Sequence, residues 1–231
     1  MRVTKMAAKD TCFCKNTLNC AGRVIALEKP CVAGILNVSP DSFYDGGKYV
    51  TDKDIAERCG IMLGEGAFII DIGACSTRPG SAGISLDEEQ KRLLPAIRTV
   101  RKHFPEALIS AETFKAETAR MAAEEGAHII NDISGGTMDE RMFETIAALG
   151  IPYILTHIQG TPLTMQDNPR YNNLTGELLA YFAEKTTLLK QAGVKDIIID
   201  PGFGFGKTTE HNYEMLRNLG ALRITGFPVM A

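Results

Sequence analysis

An α/β fold built on a parallel sheet is what this sequence predicts, and three observations lead there. First, one unit recurs: a stretch of helical apolar spacing, a glycine, and a short Ile-rich run. Gly66 leads into "FIIDIG", Gly126 into "HIINDISG", Gly150 into "IPYILTH" and Gly193 into "KDIIIDPG". Second, those runs are continuously apolar, as strands covered on both faces are. Third, each run stops at a carboxylate, an amide or an imidazole and opens into a loop. Repeated βα units of this kind give a parallel sheet covered by helices, and a (β/α)8 barrel or an open doubly wound sheet both satisfy the pattern.

Taken in chain order, residues 13–30 read as a short β-hairpin turning at Ala21-Gly22. Strands follow at about 32–37, 67–72, 107–112, 127–131, 151–157, 196–200 and 226–231. Ile55, Cys59, Met62 and Leu63 fall on one helical face, and Ser85 with Glu88 forms a capping box ahead of Leu93, Leu94, Ile97 and Val100. Pro95 interrupts that second helix and is expected to kink it. The glycines closing each unit suit the residue just past a helix end, where a left-handed backbone is needed.

Composition narrows the functions. A chain of 231 residues with 45% hydrophobic and 23% charged residues buries a sizeable core as a single domain, residues 1–231. Its net charge of -3, with 25 basic and 28 acidic residues dispersed along it, offers no basic stripe for a phosphodiester backbone, so nucleic acid is not an expected partner. No apolar run approaches the length of a membrane span, and the N-terminal "MRVTKMAAKDTCFCKN" has no uninterrupted apolar core for export. No membrane association and a cytoplasmic location are therefore expected. Six cysteines, Cys12, Cys14, Cys20, Cys31, Cys59 and Cys75, have no paired C-x-x-C spacing and read as reduced thiols.

The chemistry lies where the strands stop: Asn37, Asp71, Glu112, Asn131 with Asp132, His157 and Asp200. In a closed barrel those ends converge on one rim. Carboxylates and amides facing inward suit a flat heterocycle with N–H donors on one edge and ring acceptors on another, because every buried donor has to be matched. Three loops flank the rim. "NVSPDSFYDGGKYV" is long enough to act as a lid, "CSTRPGS" carries hydroxyls and an arginine, and "DPGFGFGKTT" resembles a phosphate loop. The last fails the G-x-x-x-x-G-K-[ST] pattern by one residue, since Pro201 stands where the first glycine belongs.

Five blocks, "GILNVSPDSFYDGG", "DIGACSTRPG", "AETFKAETARMAAEEGAHIINDISGG", "HIQGTPLTMQ" and "IIIDPGFGFGK", resemble in order the signature blocks of the bacterial dihydropteroate synthase family, over about residues 17–231. The resemblance implies a (β/α)8 TIM barrel. It implies condensation of 6-hydroxymethyl-7,8-dihydropterin diphosphate with 4-aminobenzoate, giving 7,8-dihydropteroate and diphosphate for folate biosynthesis. Mg²⁺ and a homodimer are implied too. Position by position, Asp71, Asn131 and Asp200 match pterin-holding residues, and Glu112 stands where the family usually has aspartate. Asn37 matches the asparagine associated with Mg²⁺ and diphosphate. Asp41 and Phe43 match the first loop, and Thr77, Arg78 and Pro79 the second; these close over diphosphate and help form the 4-aminobenzoate site. Asp41, Thr77 and Arg78 are thereby the expected catalytic residues. His157 is expected to be structural, because a route in which diphosphate leaves before the amine attacks has little need of a general base.

Cys75 stands where the family often has glutamate. The sequence stops at Ala231, inside the expected seventh strand and ahead of the family's Ser-Arg-Lys-Ser and Arg-x-His segments. From this the barrel of the 231-residue chain is expected to be unclosed, with its last units missing, and the chain by itself inactive. The alternatives are a non-catalytic pterin-binding homologue, a pterin-dependent methyltransferase of the same barrel type, and a P-loop nucleotidase.

Overall fold

The computed structural model describes residues 17–39, 51–75 and 83–231. An antiparallel hairpin, β1 (Thr17–Cys20) and β2 (Arg23–Ala26), comes first. Ala21 and Gly22 turn it with φ of 53° and 88°, the two left-handed residues of a turn that matches strand twist. A six-stranded parallel sheet follows in strict sequence order: β3 (Val32–Asn37), β4 (Ala67–Gly73), β5 (Leu108–Glu112), β6 (Ile129–Asp132), β7 (Tyr153–Thr156) and β8 (Ile197–Asp200). Between and after them run α1 (Asp52–Gly64), α2 (Leu86–His103), α3 (Ala116–Glu124), α4 (Met142–Leu149), α5 (Leu174–Ala192) and α6 (Thr209–Asn218), then a 3₁₀ segment, Leu219–Thr225.

Two separate cores decide between the two architectures the sequence left open. Side chains alternating outward along the strands, among them Leu36, Ile70, Ile72, Ile109, Ile130, Leu155 and Ile199, pack with the helices in one cluster. Those alternating inward, Ile69, Leu108, Ile129, Ile154 and Ile198, meet in a second cluster with Leu18, Cys20 and Ile25 of the hairpin. Strands β4 and β8 are four places apart, roughly 19 Å at ~4.8 Å per strand in a flat sheet. Their side chains share one small cluster only because the sheet curls, with helices outside and the hairpin plugging the N-terminal end. The strand order never reverses, as it would in a doubly wound sheet.

Four expectations are adjusted. Helix α2 runs unbroken from Leu86 to His103 through Pro95, so the interruption is not seen. Ser85 accepts from the Glu88 amide at 3.2 Å, but Glu88 turns to Arg92 instead of completing a capping box. Residues 226–231 form one parallel bridge, Ile199 to Val229, in place of a strand, and Pro228 has no N–H to extend it. The strand containing Asp71 continues to Gly73, which sets Asp71 below the rim. The closing glycines behave as expected: Gly66, Gly126, Gly150 and Gly193 all have φ between 65° and 105°. Among the described residues β3 pairs only with β4, leaving Val32 and Ile35 exposed along that edge. Cys20, Cys31, Cys59 and Cys75 are not joined in disulfides.

Candidate functional site

Register sets the geometry. Asn37, Gly73, Glu112 and Asn131 lie side by side across β3 to β6. Two residues deeper on the same inward face, Asp71 stands opposite Ser110, while Thr156 pairs with Asp200 on β7 and β8. Because each step of two along a strand returns to one face, the carboxylates and amides share the barrel interior above the apolar inner cluster.

Asp71 and Asn131 form the deepest part. Asn131 Nδ2 donates to Asp71 Oδ2 at 2.9 Å, both residues being buried. Asp71 Oδ1, Asn131 Oδ1 and the buried Thr156 hydroxyl remain without a hydrogen-bond partner, while the Ser110 hydroxyl, opposite Asp71 in register, favours its carboxylate form. Burying such atoms unmatched costs about 1–3 kcal/mol each, so an interior holding three of them is built for a polar ligand. Burial raises the Asp71 carboxyl above its ordinary range. Glu112 is pushed up to about 8, first by burial and then by the neighbouring Asp71 and Glu89 carboxylates. It therefore holds a proton to higher pH than an ordinary carboxyl does, and in that form it donates as well as accepts. A Cβ placed on Gly73 would lie 3.0 Å from Asn37 Oδ1 and 3.4 Å from the Glu112 carboxyl; the missing side chain there is room that both groups use.

Asp200 closes the row at the mouth. Its Oδ1 accepts from the Gly202 amide at 2.7 Å, and burial raises it to about 6. Asp132, expected with the rim residues, points the other way. Its carboxylate accepts from the Ser134 and Gly136 amides and from the Tyr153 hydroxyl at 2.6 Å. That follows from alternation: if Asn131 faces in, its neighbour faces the helices. His157 is buried, with Nδ1 3.0 Å from Lys207 Nζ and its ring edge-on to Tyr181. Burial, helped by the Lys207 charge, lowers its pKa to about 3, so it is a neutral acceptor. Lys207 therefore turns inward to a protein partner and is not extended toward a phosphate, which removes the P-loop reading.

Asn37 sits exposed at the end of β3. Asp41, Phe43, Thr77, Arg78 and Pro79 lie outside the described residues. Sequence reasoning missed Glu89, a buried helix carboxylate that accepts from Thr113 Oγ1 and pairs with Lys115 Nζ at 2.8 Å. Its first-turn position on α2 reads as a solvent-facing helix start, and only its place on the apolar stripe with Leu93 and Ala96 hints otherwise.

Comparison with known proteins agrees with this geometry. A family model described as pterin binding enzyme matches residues 33–231. Dihydropteroate synthase of Escherichia coli (strain K12) is 41% identical over 211 residues, covering 90% of this chain and 74% of that one. Among solved structures, Yersinia pestis dihydropteroate synthase with a sulfonamide drug complex superposes with a TM-score of 0.86 at 38% identity, over 92% of this chain and 78% of that one. The Xanthomonas albilineans enzyme with 4-aminobenzoic acid gives 0.85 at 36% identity, over 93% and 76%.

Proposed function

This chain belongs to the family of pterin binding enzymes, and from that premise we propose that it is a transferase working as the dihydropteroate synthases do. It joins 6-hydroxymethyl-7,8-dihydropterin diphosphate to 4-aminobenzoate, releasing diphosphate and giving 7,8-dihydropteroate in folate biosynthesis. The observation that carries this reading is the set of unmatched buried polar atoms around Asp71 and Asn131. A pterin edge presents N–H donors and ring acceptors together. Asp71 Oδ1 and Asn131 Oδ1 accept from it, protonated Glu112 donates, and Asp200 accepts at the mouth.

The site's own residues work by holding charge and excluding water. Carboxylates around the ring favour positive charge that develops on the pterin as diphosphate departs. His157, its Nδ1 committed to Lys207, does not serve as a base for the amine. The family resemblance assigns Asp41, Phe43, Thr77, Arg78 and Pro79 to diphosphate and 4-aminobenzoate. Asn37 is the protein ligand for Mg²⁺. One exposed amide oxygen suits that ion, which keeps water and phosphate oxygens for most of its shell, and among the described residues no cluster of three His, Cys, Asp or Glu side chains forms a cage for it. When bound, Mg²⁺ would neutralise charge on the leaving diphosphate.

A homodimer in the cytoplasm completes the reading; no described helix is long and apolar enough to cross a membrane. Calorimetric titration of the dihydropterin diphosphate into the full protein carrying this sequence tests the site. Asn131→Ala is expected to weaken binding about 10–100-fold, the worth of ~1.5–3 kcal/mol for a charge-assisted pair. Unchanged affinity in Asn131→Ala, or no pterin binding by the unaltered protein, would overturn the reading.

A further inference from the structure

Lys207 is a buried cation that the reaction as described leaves without a task. It is 3% exposed. Its Nζ lies 3.0 Å from His157 Nδ1 and donates to the carbonyl oxygens of Phe205 at 2.9 Å and His157 at 3.4 Å. The Tyr171 ring centroid is 6.0 Å away. Among the described residues no carboxylate comes within ion-pair distance of it. A buried charge held only by neutral acceptors is costly, and such a cost is borne where position or field matters.

Two loops meet at this ammonium, and one of them carries Asp200. The segment after β8 crosses the end of β7 so closely that a Cβ on Gly202 would stand 2.1 Å from the His157 carbonyl oxygen, and one on Gly206 2.8 Å from that of Gln159. The crossing is tied by Tyr171 Oη donating to the Gly206 carbonyl at 2.8 Å and Gln166 Nε2 to that of Gly204 at 2.6 Å. Beneath it, Lys207 bridges Phe205 of one loop to His157 of the other. The Gly202 amide of the same loop holds Asp200 Oδ1.

We propose that Lys207 is a positioning residue for pterin recognition: its ammonium pins the Gly202–Gly206 loop to His157 and so holds the Gly202 amide on Asp200. The inference rests on the assignment of Asp200 to the pterin. Charged groups acting on Asp200 are Lys207, which lowers its pKa, and Asp71, which raises it. Those around Lys207 are Asp200, the neutral His157 and the phenol of Tyr171, itself pushed up to about 12, with His211 edge-on to the far side of Tyr171. Burial brings Lys207 down to about 7, so it is charged where Asp200 titrates, near 6. Removing that charge raises the Asp200 pKa, and pterin binding that needs the carboxylate then fails at a higher pH.

The test compares Lys207→Met, Lys207→Arg and Asp200→Asn in the full protein, titrating the dihydropterin diphosphate from pH 5 to 8 and recording the KM for 4-aminobenzoate and the melting temperature. Lys207→Met is expected to lose about tenfold in pterin affinity at pH 7, within what a small misplacement of a binding group costs. Its acid limb moves to higher pH, the 4-aminobenzoate KM stays put, and Lys207→Arg recovers most of both losses. Wild-type pterin binding by Lys207→Met at every pH, alongside an impaired Asp200→Asn, overturns the proposal alone. Full affinity in Asp200→Asn overturns the pterin assignment and this proposal with it. A measurement on the unaltered protein does not depend on the variants folding: ¹⁵N NMR of His157 should show Nδ1 unprotonated down to pH 5. An imidazole titrating near its ordinary value of about 6.5 would sink the pin.

Discussion

Glu112 shows how one methylene is absorbed. Its carboxyl lies over Gly73, in the row with Asn37 and Asn131, so the longer side chain fills space that a Cβ would otherwise take. Glu112→Asp withdraws the carboxyl from that space and leaves a ring partner short of its hydrogen bond. Its kcat/KM should fall about tenfold, ~1.4 kcal/mol of transition-state stabilisation; a rise, measured by steady-state kinetics, would show that the pterin sits displaced in the unaltered protein. Asp71, Asn131 and Asp200 were legible because a carboxylate or amide in an Ile-rich run has no reason to be there for packing. Asp132 was misread because adjacency in sequence hides the alternation of faces, and only pairing with β7 shows which of two neighbours looks inward. Lys207 was seen as the tail of a failed phosphate motif, since nothing in "GFGFGK" tells that its side chain folds back under the loop.

At the scale of elements, the glycines after β8 set how closely two loops can cross. Gly202 has φ of +71° and faces the His157 carbonyl oxygen. Gly202→Ala therefore meets both a left-handed backbone, which costs a β-carbon residue about 1–3 kcal/mol, and a clash that pushes the loop off β7. A thermal melt should show the loss of stability, and pterin affinity should fall with it as Asp200 loses the Gly202 amide. A melt and affinity both matching wild type would mean that the crossing yields at no cost. Strand positions were readable within a few residues because buried parallel strands are short, apolar and bounded by glycine. The ends were less so. The continuity of α2 through Pro95 is not written in the sequence: a missing amide costs one hydrogen bond, and burial of Leu93, Leu94, Ala96 and Ile97 on that helix outweighs it.

For the whole molecule, the repeat alone could not distinguish a curled, barrel-type sheet from a doubly wound one, because both use the same βα unit; curvature shows only when side chains from distant strands meet. The hairpin packs inside that curl. It shares no backbone hydrogen bond with the parallel sheet among the described residues and is held chiefly by Leu18, Cys20 and Ile25 against the inward isoleucines. Leu18→Ala should cost about 2–4 kcal/mol, measured by denaturant unfolding; a cost near zero would mean that the hairpin is not a structural plug. A plug held by side chains alone can come out while the outer core stays folded, so its amides should exchange with solvent at a lower free energy than those of β4 to β7. Its far side braces Ile129 and Ile154, and those residues sit in register with Asp71, by way of Ser110, and with Asn131. Filling of the mouth and anchoring of the hairpin are therefore expected to be coupled. Amide exchange at the hairpin should slow when the dihydropterin diphosphate fills the mouth, and loosening the hairpin should weaken the hold on the ligand by the same factor; hairpin exchange that the ligand leaves unchanged would show the two ends to be independent.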